Sequence, residues 1–125
     1  MIILDYKDRR PLYEQVVERF SDLILKGALK PDTKLPSVRN LAVDLSINPN
    51  TIQRAYSELE RKGYIYTIKG RGNFVSKKED FIDNHKEELL VKFDDIVCEA
   101  KAADIPDTLL KERIDELYRR EDNND

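Results

Sequence analysis

A chain of 125 residues with one cysteine, one histidine and a net charge of -3 has room for one modest domain or for a small domain with an appendage. A single thiol excludes an internal disulfide, and no apolar run approaches the ~20 residues of a membrane span. Charged residues begin at Asp5, so no secretory leader is expected and a cytoplasmic, reducing compartment is.

The net charge conceals an asymmetry. Residues 1–78 hold 15 Lys and Arg against 9 Asp and Glu, a local charge of +6, while residues 79–125 hold 7 against 16, a local charge of -9. Attraction to phosphates belongs to a local face and not to the chain total. The acidic second part therefore does not argue against a nucleic-acid partner.

Residues 1–10 read as extended. Pro11 suits the opening of a helix, because its missing N–H would have no intrahelical partner there, and Gly27 suits the end. Between them Leu12, Tyr13, Val16, Val17, Phe20, Leu23 and Ile24 recur at three- and four-residue spacing, an apolar stripe read as core. Pro31-Asp32 marks a turn. Ser37 is placed to cap a second helix by accepting the N–H of Asn40; Val38, Leu41, Ala42 and Leu45 share one face and Arg39 points away from it.

After a short turn at Ser46-Ile47, Asn48 is a good N-cap and Pro49 a good first residue for a third helix, which Gly63 ends. Ile52, Ala55, Tyr56 and Leu59 fall at i, i+3, i+4 and i+7, an inward stripe. Asn50, Gln53, Arg54 and Ser57 lie opposite, flanked by Thr51. Amide side chains pair with adenine edges and Arg with guanine O6 and N7, so this outward face is where base reading could occur. Tyr64 to Ile68 is rich in aromatic and β-branched residues, as a strand is, and Asn73-Phe74-Val75 can return antiparallel to it. The turn Lys69-Gly70-Arg71-Gly72 places two cations at the hairpin tip, suited to phosphates or a narrow minor groove. Leu35 to Val75 thus reads as a winged helix-turn-helix, with the third helix held in the major groove of DNA.

A charged junction at Lys77-Lys78-Glu79-Asp80 separates two expected domains, residues 1–77 for DNA binding and 78–125 as an α-helical tail. Leu89, Phe93, Ile96, Val97, Ala100 and Ala103 make a stripe along a helix of about twenty residues. Asp104-Ile105-Pro106-Asp107 breaks it, and Thr108 to Arg120 carries Leu110, Ile114, Leu117 and Tyr118 on one side; the residues after Arg120 read as frayed. Two such helices have too little to pack against by themselves. Their apolar stripes must dock on the winged domain or on another copy, and another copy is the preferred reading: a homodimer is expected, through Leu89, Phe93, Ile96, Val97, Ala100, Leu110, Ile114 and Leu117. A two-helix tail can hardly enclose a drug-sized pocket of roughly 300 Å³ without a dimer interface or the interdomain cleft, so a small-molecule effector stays unknown from the sequence, and any effector is expected to act near Lys77 to Asp83 or on the dimer seam. His85 and Cys98 have no second ligand at metal spacing, and no nucleophile–base pair or cofactor motif is present, so no metal, cofactor or enzymatic activity is expected.

The run LPSVRNLA, then a turn, then NPNTIQRAYSELERKGYI and the wing KGRGNFV resembles the DNA-binding domain of the GntR family over roughly residues 8–76. The resemblance implies that Arg39 contacts DNA from the first motif helix, Thr51 and Gln53 from the start of the recognition helix, and Gly70 from the wing. Many members carry Arg where this chain has Pro49 and Gln53, which makes its operator its own. The Asn-Pro-Asn-Thr form resembles the YtrA subfamily, whose short members dimerise through a helical tail. By the same resemblance the chain is expected to be a repressor with a transporter operon among its targets.

The expectation is therefore a mainly α chain with a small β-hairpin, a winged helix-turn-helix followed by a two-helix dimerisation tail. Its partner is double-stranded, palindromic operator DNA, bound through Ser37, Arg39, Asn50, Thr51, Gln53, Arg54, Lys69, Gly70 and Arg71. The alternative is a non-enzymatic interaction module that uses the winged fold and acidic tail to contact protein. A DNA reader needs Arg39, Arg54, Lys69 and Arg71 clustered on one exposed face, whereas protein docking there needs an exposed apolar patch.

Overall fold

Helix α1 (Leu12–Leu25) buries Val16, Val17, Phe20 and Ile24, the middle and end of its apolar stripe. The computed structural model describes residues 2–120, so the expected fraying of residues 121–125 lies outside the described residues. Pro11 stands just outside α1 as its N-cap. The segment before it is a bent loop, more than an extended arm, with Asp8 N donating to Asp5 O at 3.1 Å. Gln15 holds this loop: buried on α1, its Oε1 accepts from Asp5 N at 2.9 Å and its Nε2 donates to Arg10 O at 3.3 Å. A buried amide with both ends satisfied fixes the loop without an unpaired polar group.

Helix α2 (Val38–Leu45) begins where expected, with Ser37 Oγ accepting from Asn40 N at 3.1 Å. It stops at Ser46, whose φ of 55° turns the chain sharply into the next helix. Helix α3 (Pro49–Arg61) starts on Asn48, whose Oδ1 accepts from Asn50 N at 2.8 Å, with Pro49 in the first turn. Ile52, Ala55, Tyr56 and Leu59 are buried along it. Tyr56 packs edge-to-face on Phe20 of α1, ring centroids 5.9 Å apart. Its hydroxyl donates to Pro36 O at 2.7 Å, and burial raises its pKa so that the proton stays in place.

At the end of α3, Gly63 N donates to Glu60 O and Tyr64 N to Leu59 O, at 3.0 and 2.9 Å. Both bonds close the last turn around a left-handed glycine, a Schellman ending. Tyr64 is thus spent on closing the helix, and strand β1 runs from Ile65 to Ile68, one residue later than expected. Strand β2 (Gly72–Val75) takes in Gly72, in the antiparallel register Ile65↔Val75 to Ile68↔Gly72. The segment after α1 lies along β2, with Leu35 N donating to Asn73 O and Val75 N to Thr33 O, both at 2.9 Å.

A 3-10 turn (Lys78–Asp80) forms at the charged junction and delivers Phe81 into the core beside Tyr64, centroids 4.9 Å apart. Helix α4 (Ile82–Ala102) follows, and its first turns are held by Tyr64 Oη, 3.0 Å from His85 Nδ1. By compactness the chain divides inside α4, one unit ending at Lys86 and the other running from Glu87 onward. In the second unit Asp104, at φ 62°, breaks the helix, Ile105 N donates to Ala100 O at 3.0 Å, and helix α5 runs Asp107–Arg119. The described chain is mainly α with one small hairpin, a winged helix-turn-helix followed by helices.

Gly63 joins two constraints. Its φ is +86° and an added Cβ would meet the Asp80 carbonyl oxygen at 2.6 Å, whereas Gly70, at φ +81°, has nothing within 4 Å. Gly70→Ala is expected to cost about 1 to 2 kcal/mol, the left-handed backbone alone. Gly63→Ala must cost more, on the order of 3 kcal/mol, because the backbone of the 3-10 turn has to move as well. Urea unfolding of the two variants against the parent chain measures both.

Candidate nucleic-acid interface

Successive residues on an α-helix are rotated by roughly 100°, so the buried stripe of α3 leaves one sector facing outward. Gln53 and Ser57 occupy one edge of that sector, joined by Gln53 Nε2 donating to Ser57 Oγ at 3.3 Å. Asn50, Thr51 and Arg54 border the other edge, where they share an open cleft with Pro11, Leu12 and Tyr13 of the α1 end. Asn50, Gln53 and Arg54 are exposed and Thr51 half-buried. Arg54 does not reach straight out: its guanidinium lies 3.8 Å from the centroid of the Tyr13 ring.

On α2, Arg39 is exposed. Ser37 uses its oxygen lone pair on Asn40 N, which leaves its O–H available to donate outward. At the wing, Lys69, Gly70 and Arg71 are all exposed, and Arg71 N donates to Ile68 O at 2.9 Å to close the turn. The hairpin is stiffened behind its tip by Tyr66 stacked on Phe74 at 5.6 Å and by Thr67 Oγ1 donating to Asn73 Oδ1 at 2.7 Å. Tyr66 also donates to Asp32 Oδ1 at 2.6 Å, a bond that pushes its pKa up.

Lys34 is a cation that the sequence reading left out. A Cβ on Gly72 would meet Lys34 Cε at 3.0 Å, so the lysine stem lies against the hairpin beside its tip turn. The pairing that puts it there, Lys34 against Phe74, is an isolated bridge, too short to leave an alternating pattern. Tyr13 was read only as core; its second role depends on where α3 lies, which helical periodicity does not encode.

Arg39, Lys69 and Arg71 form no ion pair among the described residues, in contrast to Arg10, which bonds Asp8 and Glu18, and Arg61, which bonds Glu58. Unpaired cations on an exposed surface are free to take phosphates. Apolar exposure on the winged unit is scattered, with Ile3, Val43 and Ile68 the main aliphatic cases. An apolar cleft under Phe81, bounded by Ile24, Leu29 and Pro31, has a volume of about 150 Å³, below the size of a drug-sized ligand site.

Apolar exposure is dense in the second unit. Leu89 (49 %), Phe93 (45 %), Ile96 (59 %), Ile114 and Leu117 (51 %) are exposed, Val97 and Leu110 are half-buried, and Ala100 is buried. Leu90, Val91 and Leu109 are exposed too; the consecutive run Leu89-Leu90-Val91 was the signal, though a single stripe cannot hold all three. Among the described residues no group of three His, Cys, Asp or Glu is arranged to hold a metal, and no helix is long and apolar enough to cross a membrane.

Residues 12–75 match the model of the gntR family of bacterial regulatory proteins. The HTH-type transcriptional repressor YtrA of Bacillus subtilis is 38 % identical over 119 residues, 94 % of this chain and 92 % of that protein. A transcriptional regulator from Oenococcus oeni has a similar structure, with TM-score 0.75 and 29 % identity over 94 % of this chain and 97 % of that one. The DNA-binding domain of AraR, solved in complex with operator ORE1, superposes with TM-score 0.52 and 32 % identity over 61 % of this chain and 93 % of that one.

The start of α3 depends on one side chain. Asn48→Ala leaves the N–H of Asn50 without its acceptor, and is expected to destabilise the chain by about 1 kcal/mol. Asn48→Ser or Asn48→Asp should restore most of that in the same urea titration.

Proposed function

Because the chain belongs to the gntR family of bacterial regulatory proteins and is a DNA-binding regulator of transcription, we propose that it works as a dimeric repressor on a palindromic operator. The observation that carries this reading is α3, buried along one side and polar and exposed along the other, in a fold shared with a domain solved on its operator. In it Asn50, Thr51 and Gln53 read base edges from the start of α3, Arg39 and Ser37 contact DNA from α2, and Lys69, Gly70 and Arg71 bring the wing to the backbone or the adjacent groove. The winged domain, residues 1–77, binds DNA, and residues 78–125 pair two copies. The chain is a regulator and not an enzyme, acts in the cytoplasm where its DNA is, and has a transporter operon among its targets, as the family resemblance implies.

Two-fold pairing follows from the same physics. A dimer presents two α3 helices to half-sites about one helical turn apart, which multiplies both affinity and specificity. The exposed Leu89, Phe93, Ile96, Ile114 and Leu117 supply the apolar surface that such pairing buries. The acidic charge of this part keeps it away from phosphates, so pairing and DNA binding do not compete for the same surface.

Selection of duplexes from a randomised pool by the full-length chain is expected to return a palindrome with half-sites one turn apart. Affinity for it should fall on the order of a thousandfold between roughly 50 and 200 mM salt. Equal affinity for a scrambled duplex would remove the claim of sequence specificity. In sedimentation equilibrium at micromolar concentration the parent chain should be a dimer and Phe93→Asp a monomer with weakened operator binding. A monomer mass for the parent at every concentration would refute the pairing.

A further inference from the structure

We propose that Arg54 is a clamp for a backbone phosphate and that Tyr13 is its positioning residue. The inference rests on the DNA-binding reading above and concerns what one side chain does within it. From the helical periodicity alone Arg54 belongs with Asn50 and Gln53 as a reader of base edges. Its side chain turns aside instead, with the guanidinium 3.8 Å from the centroid of the Tyr13 ring.

Three observations carry the assignment. First, Tyr13 sits on α1 and packs partly against the core, so the ring is a fixed platform and not a mobile partner; a planar guanidinium held on an aromatic face keeps its N–H edge free to donate. Second, Arg54 forms no ion pair among the described residues. The neighbouring Glu58 is taken by Arg61, which donates to it through Nε and Nη2 at 2.8 and 2.7 Å. Third, Arg54 lines the open cleft between α3 and the start of α1, with Pro11, Leu12, Asn50 and Thr51, and its guanidinium is drawn to the α1 side of α3 by the Tyr13 ring. A helix seated in the major groove turns its outward face to the base edges and its flanks to the groove walls, which are rows of phosphates. A cation held on the flank meets the wall, and reaching the floor would mean leaving the ring.

The test uses the full-length chain, the selected palindromic duplex and a scrambled duplex of the same length, each titrated over a range of salt. Arg54→Ala should weaken both duplexes by the same factor, leave base preference unchanged and reduce the magnitude of the salt slope by about 1 per protomer. Tyr13→Leu should weaken binding roughly two- to fivefold in the parent and add nothing in the Arg54→Ala background, while Tyr13→Phe, which keeps the ring, should bind as the parent does. Should Tyr13→Leu fail to fold, the parent decides: the Arg54 side-chain protons should carry an upfield ring-current shift in its NMR spectrum, retained in Tyr13→Phe. Altered preference at one base pair with an unchanged salt slope in Arg54→Ala would make Arg54 a base reader and overturn the clamp. Additive losses in the double variant, or no ring-current shift in the parent, would overturn the role of Tyr13. Absence of duplex binding by the parent would instead refute the DNA-binding reading itself.

Discussion

Tyr56 is the interaction on which the rest of the winged unit depends. From the middle of α3 its ring packs edge-to-face on Phe20 of α1 and its hydroxyl reaches the carbonyl of Pro36, just before α2. One buried side chain thereby fixes α3 against both other helices. A recognition helix is under opposing demands, since it must be anchored firmly and yet present a polar face to solvent. Placing aromatic and aliphatic bulk on one stripe and leaving the remainder polar meets both demands, and a buried hydroxyl with a backbone acceptor adds direction to an otherwise non-directional contact.

Around that anchor the local devices agree with one another. Ser37 and Asn48 cap their helices, Ser46 makes the left-handed turn between them, and Gly63 ends α3 with its Schellman bonds. Each was legible in the sequence because caps and turns are decided by a few neighbouring residues. Agreement of local preference with global packing leaves few competing folds. The features that sequence reading missed are those set by residues far apart. Gln15 lies outside the apolar stripe of α1, yet it is buried, its amide bonded to Asp5 and Arg10 of the N-terminal loop. Phe81 followed a charged junction that read as a boundary, yet it fills a place beside Tyr64. Lys34 and Tyr13 came to the wing and to α3 through pairings with no periodic signature.

The charge pattern follows the same division of labour. The winged part is basic and its exposed Arg39, Lys69 and Arg71 form no ion pair among the described residues, while the acidic part carries the dense apolar exposure. Paired surface ions contribute little to stability and would have to be broken before a phosphate could be met. Leaving these cations free costs the fold almost nothing and keeps them ready for an anionic partner.

The proposal that α3 lies in the major groove is tested most directly by dimethyl sulfate protection on the selected duplex. The reagent methylates guanine N7 on the major-groove side and adenine N3 on the minor-groove side. With α3 in the major groove, guanines in two half-sites one helical turn apart are shielded at N7. Protection confined to adenine N3, or no protection at guanine N7 under saturating protein, would contradict that placement.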